Sequence, residues 1–229
     1  MSDKSAISAN RQALLDTIAA AAGAAGRKPG DITLVAVSKR QSEERLDAAL
    51  AAGQRVFGEN RVQEAQAHWS ARRTDYPDLE LRLIGPLQSN KADDAVALFD
   101  VIETLDRDKL AAALRKAMDA QGRTPRLYVQ VNTGEEDQKA GVAPAELPDF
   151  LARMRQVYGF EIEGLMCIPP VEEPAGMHFA LLDTLARENG VARLSMGMSG
   201  DFETAVALGA TSVRVGTGSL EPFHRHCGR

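Results

Sequence analysis

Cysteine, aromatic side chains and charge of one sign are all scarce in this 229-residue sequence. Its two cysteines, Cys167 and Cys227, stand far apart. They fit neither a disulfide framework nor a metal-ligand spacing, which points to inert thiols in a reducing compartment. The opening stretch "MSDKSAISANRQ" is polar and charged, without the apolar centre of a signal peptide, and no later run is long enough to span a bilayer. The sequence therefore predicts a cytoplasmic protein with no membrane partner. There is no basic excess either: 27 Lys and Arg face 32 Asp and Glu, with the signs interspersed. Binding a phosphate backbone requires a concentrated basic face, so nucleic acid is not an expected partner. What is present is 44% hydrophobic residues in a chain long enough to build one large core.

One rhythm runs from end to end. Short apolar, β-rich runs occur at 32–38 (ITLVAVS), 55–60 (RVFGEN), 81–88 (LRLIGPLQ), 101–105 (VIETL), 126–132 (RLYVQVN), 162–168 (IEGLMCI), 193–199 (RLSMGMS) and 212–218 (SVRVGTG). Stretches with helical spacing lie between them. In "SEERLDAALAAG", Leu46, Ala49 and Leu50 share a face and Gly53 sits where a C-cap belongs. An Ala-rich helix, residues 6–25, precedes the first strand. Eight β-α units without a linker or low-complexity segment predict an α/β fold, a single TIM-type (β/α)8 barrel with an extra N-terminal helix, spanning 1–229 as one domain. A doubly wound open sheet is the alternative, disfavoured by the count of eight and by the lack of a G-x-G-x-x-G turn after the first strand.

In such a barrel, functional groups gather where strands end. Lys39 closes the first run. The other ends carry Glu59 and Asn60, then Gln88 to Lys91, Asn132, Cys167, Ser199, and finally Gly216, Thr217 and Gly218. Alternation in the last run places Ser212, Arg214 and Gly216 on one face and the two valines on the other, so Arg214 is expected inside the barrel. A buried guanidinium needs acceptors, either a carboxylate of a neighbouring strand or a ligand. The loops after strands 7 and 8 are where barrels often hold phosphate. Ser199 and Gly200 are expected to open the helix there, and Gly216 and Gly218 would let backbone approach a ligand around Thr217.

A phosphate site, a lysine on strand 1 and an inward arginine on strand 8 converge, because these strands are neighbours in a closed barrel. Pyridoxal phosphate (PLP) would use all three, offering a phosphate, an aldehyde for a Schiff base with Lys39, and a ring nitrogen for Arg214. A partly desolvated mouth rich in cations favours the neutral amine that attacks an aldehyde. Arginine can donate to a pyridine nitrogen but does not give it a proton, which discourages strong carbanion chemistry.

The segments "LVAVSK", "FGENRVQE", "LIGPLQSNK", "VNTGEEDQKAGV", "GLMCIP", "LSMGMSGDFETAVALGAT" and "VRVGTG" together resemble the pyridoxal phosphate homeostasis proteins, the YggS/PROSC group, over almost the whole chain. The resemblance implies a barrel of the alanine racemase N-terminal type. It implies Lys39 as the Schiff-base lysine, Asn60 near the cofactor, Arg214 at the ring nitrogen, and Ser199, Gly216 and Thr217 in the phosphate-binding segments. Two departures stand out. Arg82 occupies a position where the family usually has histidine, and the tail "GSLEPFHRHCGR" replaces an apolar ending. His224, His226 and Cys227 in that tail are weak candidates for a metal site.

The resemblance favours an intracellular carrier, expected to be a monomer, that holds PLP and releases it to apoenzymes. A weak amino-acid racemase is the first alternative, and a Schiff-base aldolase acting on a sugar phosphate the second. A racemase needs a second acid-base group opposite Lys39. None of Tyr76, Tyr128 and Tyr158 is expected at the mouth.

Overall fold

The structure, a computed structural model, describes residues 3–216. Eight parallel strands close into a barrel in sequence order: β1 (Thr33–Val37), β2 (Val56–Glu59), β3 (Glu80–Leu83), β4 (Val101–Leu105), β5 (Arg126–Gln130), β6 (Ile162–Met166), β7 (Arg193–Ser195) and β8 (Ser212–Gly216). Around them lie α2 (Glu43–Ala51), α3 (Val62–Trp69), α4 (Arg72–Asp75), α5 (Ala92–Leu98), α6 (Asp108–Gln121), α7 (Leu147–Gln156), α8 (Ala175–Glu188) and α9 (Phe202–Ala207). The additional helix α1 (Asp3–Ala24) packs on α2 and α9, over the seam where β1 meets β8. The (β/α)8 barrel with its extra helix is the architecture expected from the eight runs.

The helices form for the reasons legible in their sequence. In α6, Leu110, Ala111, Leu114, Ala117 and Met118 fall on one buried stripe. Gly122 then stops the helix at φ 61°, a left-handed conformation that costs glycine little. Each such leucine withdrawn from water contributes roughly 1.5–3 kcal/mol. The main core lies between barrel and helices, joining Leu34, Phe57, Leu81, Ile102, Leu127, Leu165 and Val213 of the strands to Leu46, Trp69, Leu114 and Phe179 of the helices.

The inner face of the barrel is different. Register pairs Val35 with Arg214, Gly58 with Arg82, Tyr128 with Gly164 and Met166 with Ser195, and paired residues in a parallel sheet share a face. Glu103, two residues beyond Val101, which pairs with Arg82, joins the same face. Gly164 is required there by space, since a Cβ would lie 2.2 Å from Cε1 of Tyr128. The barrel thus carries a buried aromatic ring and several charges where apolar branched residues commonly stack.

The strands are shorter than the apolar runs. β3 ends at Leu83 rather than Gln88, and β7 at Ser195 rather than Ser199. Beyond Ser195 the chain keeps two backbone bonds to β8, Met196 N–H to Ser212 O and Arg214 N–H to Gly197 O, before it turns away at Gly197, with φ 92°. Among the described residues no helix is long and apolar enough to cross a membrane.

Candidate functional site

β1 stops at Val37, Ser38 is buried, and Lys39 is exposed in the turn that follows, next to Arg40 at φ 58°. Lys39 therefore sits two residues past the paired strand, free of the strand's buried face. Ser38 anchors it. The Ser38 N–H donates to Gly58 O at 2.9 Å, and its hydroxyl donates to Glu59 Oε1 at 2.7 Å. The same carboxylate oxygen accepts from Trp69 Nε1 at 3.0 Å and lies 2.9 Å from His68 Nδ1. Glu59 was expected in the polar ring of the mouth. Instead it points outward into the layer of α3, because Gly58 takes the inward face and alternation sends its neighbour the other way.

The strand carrying Lys39 lies directly beside the segment expected to bind phosphate, since Val37 pairs with Gly216. The Gly216 N–H reaches Ser199 Oγ at 3.4 Å, and the Arg214 N–H donates to Gly197 O at 2.9 Å, so the loop after β7 is tied to β8. Ser199 and Gly200 are exposed in that loop. They do not open the helix as expected. Helix α9 begins at Phe202, and the Asp201 carboxylate accepts from the Met198 N–H at 2.6 Å, organising the preceding turn. Thr217, Gly218, His224, His226 and Cys227 lie outside the described residues. Asn60 is half-buried, with its backbone pressed against Gly85, where a Cβ would lie 2.2 Å from Asn60 O.

Arg214 is inside the barrel and only 3% exposed. Its Nη1 donates to Ser195 Oγ at 2.7 Å and its Nη2 to the Cys167 carbonyl at 2.8 Å. The acceptors are thus neither a carboxylate in direct contact nor a ligand alone. A carboxylate stands one group further away: Ser195 Oγ donates to Glu103 Oε2 at 2.5 Å, and Arg82 Nη1 donates to Glu103 Oε1 at 3.1 Å. Burial works against the Arg82 charge, yet Glu103 and Glu80 outweigh it and hold its pKa above the ordinary value. A reading of strand ends does not reach Ser195, Glu103 or Arg82, which lie inside their apolar runs. The available signal was parity: an acid centred in the β4 run and a serine on the inward face of β7.

The remaining strand-end residues do structural work. Asn132 closes its own loop, donating to Glu136 O at 2.9 Å and accepting from the Glu136 N–H at 3.3 Å. Residues 88–91 form a turn into α5 in which Lys91 meets Asp94 at 3.3 Å, a solvated helix start. The Cys167 thiol is fully buried, and burial pushes its pKa up to about 12 despite nearby Arg214, in keeping with an inert thiol. The Tyr128 hydroxyl bonds Glu163 at 3.1 Å and borders a 160 Å³ cavity with Glu80, Arg82, Arg126 and Arg193, toward the strand N-termini. Tyr76 caps α4, and the Tyr158 hydroxyl bonds Asp108 in the helical layer.

The model of the family "Alanine racemase, N-terminal domain" matches residues 10–220. Fold and sequence together define a barrel of that class. The pyridoxal phosphate homeostasis protein of Pseudomonas aeruginosa is 40% identical over 218 residues, covering 93% of this chain and 94% of its own length. That of Escherichia coli K12 is 36% identical over 222 residues, covering 92% and 94%. The structure of PipY from Synechococcus elongatus with PLP bound superposes with a TM-score of 0.75 at 42% identity, covering 89% of this chain and 99% of PipY. The chain belongs to the family of pyridoxal phosphate homeostasis proteins, within the alanine racemase N-terminal class.

Proposed function

We propose that this protein binds PLP at the C-terminal mouth of the barrel, holds it covalently through Lys39, and releases it to apoenzymes in the cytoplasm. The observation that carries the reading is the β1–β8 register. Val37 opposite Gly216 and Val35 opposite Arg214 bring the lysine's strand end, the phosphate-type loops and the inward guanidinium to one seam. The donor set fits the cofactor: an exposed primary amine, a hydroxyl and glycine amide at the β7 and β8 ends, and a guanidinium that offers only donors. When bound, PLP supplies a reactive aldehyde whose free concentration a carrier would limit. Lys39 provides the attaching amine, Ser38 and Glu59 hold the turn that presents it, and Ser199, Gly200 and Gly216, with Thr217 beyond, offer phosphate contacts. Asn60 flanks the mouth, and Arg214 faces the ring nitrogen.

The whole chain would act as one PLP-binding unit and as a monomer. None of the three tyrosines is placed as a second acid-base group opposite Lys39. The tyrosine inside the barrel bonds Glu163 toward the opposite end, and the other two lie in the helical layer. The test is the visible absorbance of the protein loaded with PLP, before and after borohydride, beside Lys39→Ala. A yellow band lost in Lys39→Ala and fixed to the Lys39 peptide by reduction is expected. No band after addition of PLP would sink the reading and favour a Schiff-base aldolase. Racemisation of amino acids by the loaded protein would overturn the carrier assignment.

A further inference from the structure

We propose that Glu103 is a positioning residue for Arg214, acting through Ser195, and that Arg82 belongs to the same unit. The proposal rests on the reading of Arg214 as the group facing the cofactor ring. The four side chains are 0–4% exposed and come from β3, β4, β7 and β8, so the strands themselves hold the chain together. Its direction is dictated by chemistry. A guanidinium has only donors and an ionised carboxylate only acceptors, so the hydroxyl between them must donate to Glu103 and accept from Arg214. With Nη1 held by Ser195 and Nη2 by the Cys167 carbonyl, the plane of the Arg214 guanidinium is set from β7 and from the residue that follows β6.

The charge arrangement matters equally. Glu103 lies between two buried guanidiniums, and Arg82 is shared with Glu80 at 2.6 Å. Removing the Glu103 charge would leave the inner end of the mouth more positive, in a place where water cannot screen it. The arginine at position 82 borders the cavity toward the strand N-termini and is linked to the candidate cofactor site only through Glu103 and Ser195. It balances the carboxylate that orients Arg214.

The test uses the full chain and the variants Glu103→Gln, Glu103→Asp and Ser195→Ala. In cofactor-free protein, the Arg214 Nη protons, assigned by their loss in Arg214→Lys, should show slow exchange and hindered rotation in an ¹H–¹⁵N spectrum. These signatures should disappear in Glu103→Gln and Ser195→Ala. After loading with PLP, the pH midpoint of the visible band should fall by about one unit in Glu103→Gln and return toward wild type in Glu103→Asp, because added positive potential disfavours a protonated chromophore. A purely structural role would lower thermal stability without moving that midpoint. Unchanged Arg214 resonances in Glu103→Gln, or an unmoved midpoint, would overturn the proposal. A wild type that takes up no PLP while its Arg214 signals still respond would sink the cofactor reading and leave the positioning of Arg214 supported.

Discussion

Glu59→Gln is the sharpest perturbation of the site's scaffold. One fully buried carboxylate oxygen receives Ser38 Oγ at 2.7 Å and Trp69 Nε1 at 3.0 Å, with His68 Nδ1 at 2.9 Å. A hydrogen bond to a charged acceptor contributes about 1.5–3 kcal/mol and a neutral one about 0.5–1.5, so each contact loses about 1 kcal/mol on neutralisation. Three contacts give a loss of about 3 kcal/mol. For a chain of this length that corresponds to a fall in Tm of about 6–12 °C. Trp69 is the only tryptophan, so intrinsic fluorescence during urea unfolding reads both the stability and the indole's own environment. The substitution should also loosen Ser38 and, if Lys39 is the PLP-attaching lysine proposed above, slow the rise of the visible band after PLP is added. A loss under about 1 kcal/mol with an unchanged Trp69 emission would refute the idea that this carboxylate anchors the strand end.

Three other outcomes follow from particular contacts. Gly85→Ala would place a Cβ 2.2 Å from Asn60 O and 2.7 Å from its Cα, a clash with backbone that should cost about 3 kcal/mol in urea unfolding; a near-neutral result would show that the loop shifts freely. Cys167, buried with its thiol pKa pushed up to about 12, should resist iodoacetamide in the folded protein at pH 8 and react only in denaturant, as read by peptide mapping. Tyr128 and Cys167 both have pKa values raised above those of the unfolded chain, by burial first of all. Above about pH 8.5 for the thiol and about 10 for the phenol, the unfolded chain releases protons that the folded chain keeps. Their stabilising contribution is full below that range and is lost as pH rises through it, so urea midpoints should decline from about pH 9 upward. A flat profile to pH 11 would contradict both assignments.

Much of the architecture could be read without coordinates. Eight apolar runs separated by helical spacing suffice for a closed barrel, because parallel strands need helical crossovers and both faces of such a sheet are covered. The inward direction of Arg214 was equally legible, since period-two alternation in "SVRVG" leaves only one face for it. The neighbourhood of Lys39 and the β8 glycine followed from closure alone. Tertiary structure decided what local pattern does not encode. Glu59 and Asn60 look alike as polar strand-end residues, yet the first is buried under α3 and the second is half-buried just past β2, its backbone against Gly85. The turn at Gly197 and the start of α9 at Phe202 moved Ser199 out of the helix, because the loop is tied to β8 through Gly197 and Ser199 and joins α9 only through Met198 and Asp201. The link from Arg82 through Glu103 and Ser195 to Arg214 joins residues far apart in sequence, and only strand register brings their side chains within hydrogen-bonding distance. Alternation along each strand says which face a residue takes. What it meets on that face depends on the stagger of the other strands around the closed barrel.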